Sequence, residues 1–589
     1  MPRATPPNLI LFVPDGLRAL SVDPSSAPAF AALRDAGVNF TNPHSLFPTF
    51  TTANASAMAT GHYFGDTGNF SNTLYTMFAS PTAGGSVVPF LENDAVLGEV
   101  DEHFGGDYLN EQTILEAARL AGRSTAAIGK LGPALIFDHR DRTGAPTIVI
   151  DDSTGTPTGI PLSDAMKAAL AAAGLPAQTP ARGANGSAGS ATTPGTLVPN
   201  KVQQDYFIDV ATKVVLPMFA RRGTPFVFVY WSRDPDGSQH NHGDSLNTLT
   251  PGINGPTSRA GIKNADDNLA RIRHALDTLG LAATTNIVVS ADHGFSTASK
   301  QSMSSVAAQA SYADVPAGFV PPGFVAIDLA AALQRPLFDP DNKNAPVASG
   351  AHPARGNGLI GVDPARPEIV VAANGGSDLI YLPQPEKALA ARIVQVMLAH
   401  DYVSGVFVDD DFGVLPGTLP LSALNLRGRS VTPRPAVLIN FRSQATGCPE
   451  PVLCAALVAD TLQQQGQGMH GSFSRADTMN FMAAIGPDFK TRFVDPAPAS
   501  NADVGQTLAH LAGLDVPRKG SLVGRVLREA LVGGDVPPFR RENLESKVPA
   551  AGLRTVLQFQ TVGKTRYLDR KSTRLNSSHV SESRMPSSA

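Results

Sequence analysis

The chain has 589 residues, room for one very large core or roughly two to four ordinary domains; 42% of them are hydrophobic and 17% charged, the balance of a folded protein rather than a disordered one. Its 47 basic and 51 acidic residues leave a net charge of -4, which excludes an overall basic field that would gather nucleic acid, so no polyanionic partner is implied. No run approaches the ~18 consecutive apolar residues of a membrane span, and Met1 to Pro7 pass straight into a strand-like run where a secretory leader would need a basic start and an apolar stretch, so the expectation is either a cytoplasmic protein or one whose leader is absent from this sequence.

That run, Asn8-Leu-Ile-Leu-Phe-Val-Pro-Asp15, is unbroken apolar sequence ending on a carboxylate. Such a pattern belongs to a parallel strand buried on both faces that presents a polar residue at its C-terminal end. Next, a Pro48-Thr49 turn feeds the Ala-rich stretch to Gly61, predicted to be a helix with Thr51 at its N-terminus. A helix is also expected over Glu111 to Leu120, then a strand over Ser124 to Ile128 that leads into the turn carrying Lys130. The segment Pro180 to Pro199, rich in Gly, Ala, Ser, Thr and Pro without periodicity, is expected to be an exposed, mobile insertion.

Two further strands of the first type follow, Pro225 to Trp231 and Asn286 to His293, separated by a helical pattern over Ala265 to Leu279 that stops at Gly280. Strands alternating with helices predict an α/β fold, a three-layer α/β/α sandwich around a mostly parallel sheet. From Ser296 the pattern becomes irregular, with strand-like runs at Glu368 to Ala373, Asp378 to Leu382 and Ala436 to Phe441. We therefore expect a catalytic core over residues 1–300, with its insertion at about 180–200, an inserted cap or accessory region over 301–447, and the end of the core over 448–545. The only cysteines, Cys448 and Cys454, are spaced to close a small disulfide loop, the one internal hint of an oxidising compartment. The tail, 570–589, is polar and unpatterned, resembles a translated sequencing adaptor, and is set aside as non-native, with a truncated natural C-terminus expected.

The chemistry lies in five separated segments that bring Asp15; Thr51; Asp236 with His240; Asp292 with His293; and His470 next to strand ends or glycine turns. Imidazole nitrogens and carboxylate oxygens are zinc donors, and paired zinc ions can hold both the attacking and the leaving oxygen of a phosphoryl displacement. Three aspartates and a Thr51 alkoxide would balance two divalent cations. A helix N-terminus favours that alkoxide, and Asn54, one turn on, is expected to aim its amide at the same oxyanion. Singly, each residue has a structural reading: Asp15 as a helix cap, Asp292-His293 as a strand end, His470 as a loop histidine. His62, His242, His352 and His400 are read as structural, and Lys130 is weighed between a loop lysine and a substrate contact.

In order, Val13-Pro-Asp15-Gly16, Pro48-Thr-Phe-Thr51-Thr-Ala-Asn54 with Thr60-Gly61, Pro235-Asp236 with His240, Asp292-His293-Gly294, and His470-Gly471 resemble the motifs of the nucleotide pyrophosphatase/phosphodiesterase (type I phosphodiesterase) family, within the alkaline phosphatase superfamily. The resemblance spans roughly Asn8 to Lys490. It implies one zinc on Asp236, His240 and His470, and another on Asp15, Asp292, His293 and the Thr51 oxygen. The implied reaction is hydrolysis of a phosphodiester or nucleotide pyrophosphate in a small-molecule substrate through a phosphothreonine. Two departures stand out: Thr52 replaces the aromatic residue common after the nucleophile, and the Gly68 turn lacks the usual histidine. Related sulfatases place a substrate-contacting lysine in a turn like that of Lys130, which leaves a phosphomonoesterase as the alternative. A sulfatase itself would need a Cys/Ser-x-Pro-x-Arg sequence, absent around Thr51, and a non-catalytic metal-binding protein should have lost ligands. Exported bacterial relatives, with the cysteine pair, imply a periplasmic or secreted protein whose leader is absent from this sequence.

Overall fold

The computed structural model describes residues 6–549 and 553–575. An eight-stranded sheet runs in the order Phe493–Asp495, Val38–Phe40, Met482–Ile485, Thr285–Ser290, Asn8–Pro14, Phe226–Ser232, Ser124–Gly129, Thr147–Asp151. Every pairing is parallel except the two made by Met482–Ile485. Alternation along the central strand explains its unbroken apolar sequence: Leu9, Leu11 and Val13 enter one core, Ile10 and Phe12 the other. The first core also holds Ala53, Ala57 and Met58 of the helix Thr51–Thr60 and Leu508 of Asn501–Ala512. The second holds Phe30 of Pro28–Ala36 and Leu269 and Ile272 of Pro256–Thr278. The sheet therefore has helices on both faces, the three-layer α/β/α architecture that the sequence predicts.

A second eight-stranded sheet, from Leu337–Asp339 to Val437–Phe441 in sequence, is antiparallel apart from the pairing of Val403–Val408 with Thr418–Pro420. Its Val370, Leu379 and Leu438 join the first core of the parallel sheet, while Ile369, Val371 and Ile380 pack beneath Phe324–Leu333 and Lys387–Leu398. The two sheets thus share an apolar layer. A small sheet joins them: Ser296–Ser299 pairs with both Ala455–Val458 and Gly468–Met469.

Three local expectations change. The helix predicted from Glu111 begins at Ile114 with Thr113 as its cap, because the Glu111 carboxylate instead accepts the backbone amides of Lys519 and Gly520. The segment 180–199 is exposed over much of its length but is tied down: Asn185 is buried and donates to Ser238 Oγ and Val198 O, and the Thr196 amide donates to Asn241 O. It lies against the helix Asp236–Asn241 rather than standing free. The tail set aside from residue 570 begins inside the strand Thr565–Leu575, which pairs with Leu553–Val562; residues 576–589 lie outside the described residues. Cys448 and Cys454 form a disulfide, and among the described residues no helix is long and apolar enough to cross a membrane.

Candidate active site

The five segments converge at the C-terminal ends of the parallel strands, where an open α/β sheet places its ligand crevice. Asp15 follows the strand Asn8–Pro14, and the helix Asp236–Asn241 follows Phe226–Ser232, so the parallel register of these neighbours sets Asp15 beside Asp236. The Asp236 amide donates to Asp15 O at 3.0 Å. Asp292 and His293 follow Thr285–Ser290, and the chain then enters Ser296–Ser299, whose antiparallel partner Gly468–Met469 delivers His470. The rings of His293 and His470 stack at 3.5 Å between centroids. Gly471 makes room for this: its φ is +107°, and a Cβ there would stand 2.1 Å from Phe50 Cζ, just before Thr51.

Two sets of donor atoms result. In one, His240 Nε2 lies 3.1 Å from Asp236 Oδ1 and 3.2 Å from His470 Nε2, with His470 Nε2 to Asp236 Oδ1 at 3.6 Å. In the other, His293 Nε2 lies 3.1 Å from Asp292 Oδ2, 3.6 Å from Asp15 Oδ1 and 3.3 Å from Thr51 Oγ. All three imidazoles turn Nδ1 outward to a backbone carbonyl: His240 to Gly468 O at 2.9 Å, His470 to Thr49 O at 2.7 Å, His293 to Gly294 O at 2.8 Å. Donation there orients each ring with Nε2 inward and, where the ring is neutral, leaves the Nε2 lone pair free.

The carboxylates divide in the same way. Lys130 Nζ takes the outer oxygens, Asp15 Oδ2 at 2.9 Å and Asp236 Oδ2 at 3.0 Å, and Trp231 Nε1 donates to Asp15 Oδ2 at 2.7 Å. Asp15 Oδ1, Asp236 Oδ1 and Asp292 Oδ2 are buried and receive no hydrogen bond. Burial first, then Asp236 and Asp292, drives the Asp15 carboxyl well above the ordinary range. Burial, then His293 and His240, holds His470 well below its usual value and therefore neutral. Burial opposes charge on His293, but Asp292, Asp15 and Asp236 outweigh it and raise that group to about 9. Buried lone pairs and carboxylate oxygens pointing at one another are costly unless positive charge lies between them, so the donors fit divalent metal ions.

A cavity of about 350 Å³ opens beside these residues, lined among others by Lys130, Asp236, His240 and His470. A similar cavity at the opposite end of the sheet, near Asn8 and Phe226, is lined by no titratable side chain. The model of the type I phosphodiesterase / nucleotide pyrophosphatase family matches residues 9–348, more than half of the chain. The chain belongs to this family. It is accordingly a phosphoric ester hydrolase, and the buried donor clusters fit the metal dependence typical of the family. No curated protein matches it.

In this family member the structure brings Asp15, Thr51, Asp236, His240, Asp292, His293 and His470 into one neighbourhood, together with Lys130, which the sequence leaves between a loop lysine and a substrate contact. Asn54 is the exception. Its Oδ1 accepts from the Leu46 amide and Asn501 Nδ2, both at 2.9 Å, and its Nδ2 donates to Leu46 O and Phe50 O, so the expected amide toward an oxyanion is corrected to a tie that holds the turn before Thr51. Thr52 is buried and donates to Ser71 O, so it faces no substrate. Sequence reasoning missed Asn72, which lines the cavity, accepts the Thr52 amide on Oδ1 and donates to Glu92 from Nδ2. It also missed Phe90, Arg182 and Arg355 on the cavity wall. No local pattern marks these residues, because only the tertiary fold brings them in. A third buried acid–histidine group, His62 with Asp66 and Glu111, lies elsewhere; its carboxylates accept the amides of Arg429, Leu522, Lys519 and Gly520 and clip loops together.

Proposed function

We propose that this phosphodiesterase-family chain hydrolyses phosphodiester or nucleotide pyrophosphate bonds with Thr51 as nucleophile and two zinc ions, one on Asp236, His240 and His470, the other on Asp15, Asp292, His293 and the Thr51 oxygen. The carrying observation is that buried carboxylate oxygens without a hydrogen bond and inward-turned imidazoles form two adjacent clusters that share Asp236, with Thr51 Oγ 3.3 Å from His293 Nε2. Zinc on these donors would supply the positive charge that favours a threonine alkoxide and stabilises the leaving oxygen. The Thr51 alkoxide attacks phosphorus and the leaving group departs, an alkoxide from a diester or a phosphate from a pyrophosphate, giving a phosphothreonine that keeps the retained substituent until water hydrolyses it. The position of Thr51 as first residue of its helix favours the alkoxide further. Asn72, rather than Asn54, has an amide at the cavity to donate to a non-bridging oxygen.

Lys130, whose Nζ also lies 3.4 Å from Thr51 Oγ, bears on the choice between diester and monoester. A monoester dianion needs an added cation, yet Lys130 Nζ is already shared among Asp15, Asp236 and Glu92, the last at 3.3 Å. Its charge is committed to organising carboxylates, which supports the diester. The test is kcat/KM for bis-p-nitrophenyl phosphate against p-nitrophenyl phosphate, in zinc-loaded wild type and in Lys130→Ala. We expect the wild type to prefer the diester and the variant to lose rate on both. A monoester preference that collapses only in Lys130→Ala would overturn this reading. The disulfide supports a periplasmic or secreted location; free thiols at Cys448 and Cys454 in protein taken from its native host would count against it.

A further inference from the structure

The cavity beyond the donor atoms has an unbalanced wall. Its acidic groups are occupied: Glu92 holds Lys130 and the Asn72 amide, Asp236 holds Lys130, and Asp460 accepts the Gly323 amide at 2.6 Å. Arg233 is paired with Asp152 at 2.8 Å. Arg182 and Arg355, by contrast, line the same cavity and make no hydrogen bond or ion pair through their guanidinium groups among the described residues. Arg182 is partly buried, and burial first, then neighbouring Arg233, works against its charge, with only partial relief from Asp152, Asp234 and Asp236. Arg355 is exposed at the rim and acts weakly on Asp341.

The two arginines come from different parts of the chain. Arg182 arrives on the segment fastened by Asn185 and Thr196 to the helix Asp236–Asn241. Arg355 precedes the strand Gly358–Ile360 of the second sheet. Only the tertiary fold brings both to the lining of one cavity, and guanidinium is the group that binds a phosphate by two parallel hydrogen bonds.

We propose that Arg182 and Arg355 select substrates whose retained substituent carries a second, terminal phosphate. Two unpaired guanidinium charges match the near −2 charge of a phosphate monoester at neutral pH, where a carboxylate would neutralise only one. This inference rests on the phosphodiesterase reading and deepens it. The reacting phosphate meets the donor atoms around Thr51, and the terminal phosphate lies in the 350 Å³ cavity that Arg182 and Arg355 both line.

The test uses two esters with one leaving group, thymidine 5′-(p-nitrophenyl phosphate) with and without a 3′-phosphate, hydrolysed by the zinc-loaded full chain. The wild type is expected to favour the 3′-phosphorylated ester through KM by roughly tenfold or more, the factor carried by a charge-assisted hydrogen bond. That preference should weaken as salt is raised. Arg182→Gln and Arg355→Gln should each reduce the ratio of kcat/KM values, the double variant should bring it near one, and the Lys variants should retain part of it. The inference is overturned if the wild type shows no preference, or if the double variant keeps it. It is also overturned if the arginine variants lose rate on p-nitrophenyl phosphate instead, since the arginines would then serve the reacting phosphate. A wild type that cleaves bis-p-nitrophenyl phosphate while failing these tests leaves the diesterase reading standing; one that cleaves no diester ends both.

Discussion

The two large sheets are of equal strand number and share an apolar layer, yet they hold different parts of the site. The parallel sheet gathers the C-terminal ends of Asn8–Pro14, Phe226–Ser232 and Thr285–Ser290 on one edge, so Asp15, Asp236, Asp292 and His293 meet without long excursions. Antiparallel strands alternate direction and cannot concentrate their ends in this way. The second sheet supplies no member of either donor set; it contributes Arg355, Asn357 and Asn374 to the cavity wall. The difference teaches that the donor atoms gather beside the parallel sheet while the cavity wall is shared, Arg182 coming from the segment against the helix Asp236–Asn241 and Arg355 from the loop before Gly358–Ile360, and mutations should separate donors from wall.

The largest effects belong to the donor sets. His470→Ala removes a donor shared by no other residue, and we expect kcat to fall by at least about a hundredfold, with metal content reduced and activity only partly restored by added zinc. Chelation of the wild type should abolish turnover, and zinc should restore it. Retention of full activity by the chelated protein would remove the division proposed here, because the donor sets would then do no chemistry.

A smaller and different effect is expected where the sheets meet. Asn374 accepts the Thr73 amide at 2.8 Å and donates to Thr73 O and Ala372 O, lacing the second sheet to the segment that carries Asn72. Asn374→Ala should raise KM by roughly five- to tenfold, the cost of a buried hydrogen-bonded amide, with a lesser change in kcat. A variant that lost metal instead would blur the comparison.

The smallest effect is on stability. Asp378, in the strand Ser377–Tyr381 of the second sheet, and Asp460, on the cavity lining, form a buried acid pair; burial raises both, Asp460 to about 6. A carboxyl raised above its ordinary value contributes stability that is full below about pH 4 and is lost as pH rises through about 6. Melting temperature should therefore fall by on the order of a few degrees between pH 5 and 7, and Asp460→Asn should flatten that fall. An unchanged slope in the variant would assign the dependence to other acids.

Much of the first sheet was legible because strands buried on both faces write themselves as unbroken apolar runs, and a ligand at the end of such a run stands out. Asp15 and Asp292-His293 were found that way. The antiparallel strand Met482–Ile485 was not, since four residues give too little pattern, and neither was the second sheet's strand order. Asn54 was misread for a physical reason: helical spacing does set it one turn after Thr51, but Leu46, Phe50 and Asn501 consume its amide. Arg182 lay in a segment whose composition argued for a free excursion, and the bonds of Asn185 and Thr196 that return it to the site join residues far apart in sequence.

The central claim is that the two donor sets act on a phosphoester through Thr51. The most direct measurement is kcat/KM for bis-p-nitrophenyl phosphate in Thr51→Ala, at a metal content matched to the wild type by elemental analysis. We predict a loss of roughly three orders of magnitude or more, with nearly the same metal bound. Wild-type turnover in that variant would contradict the account.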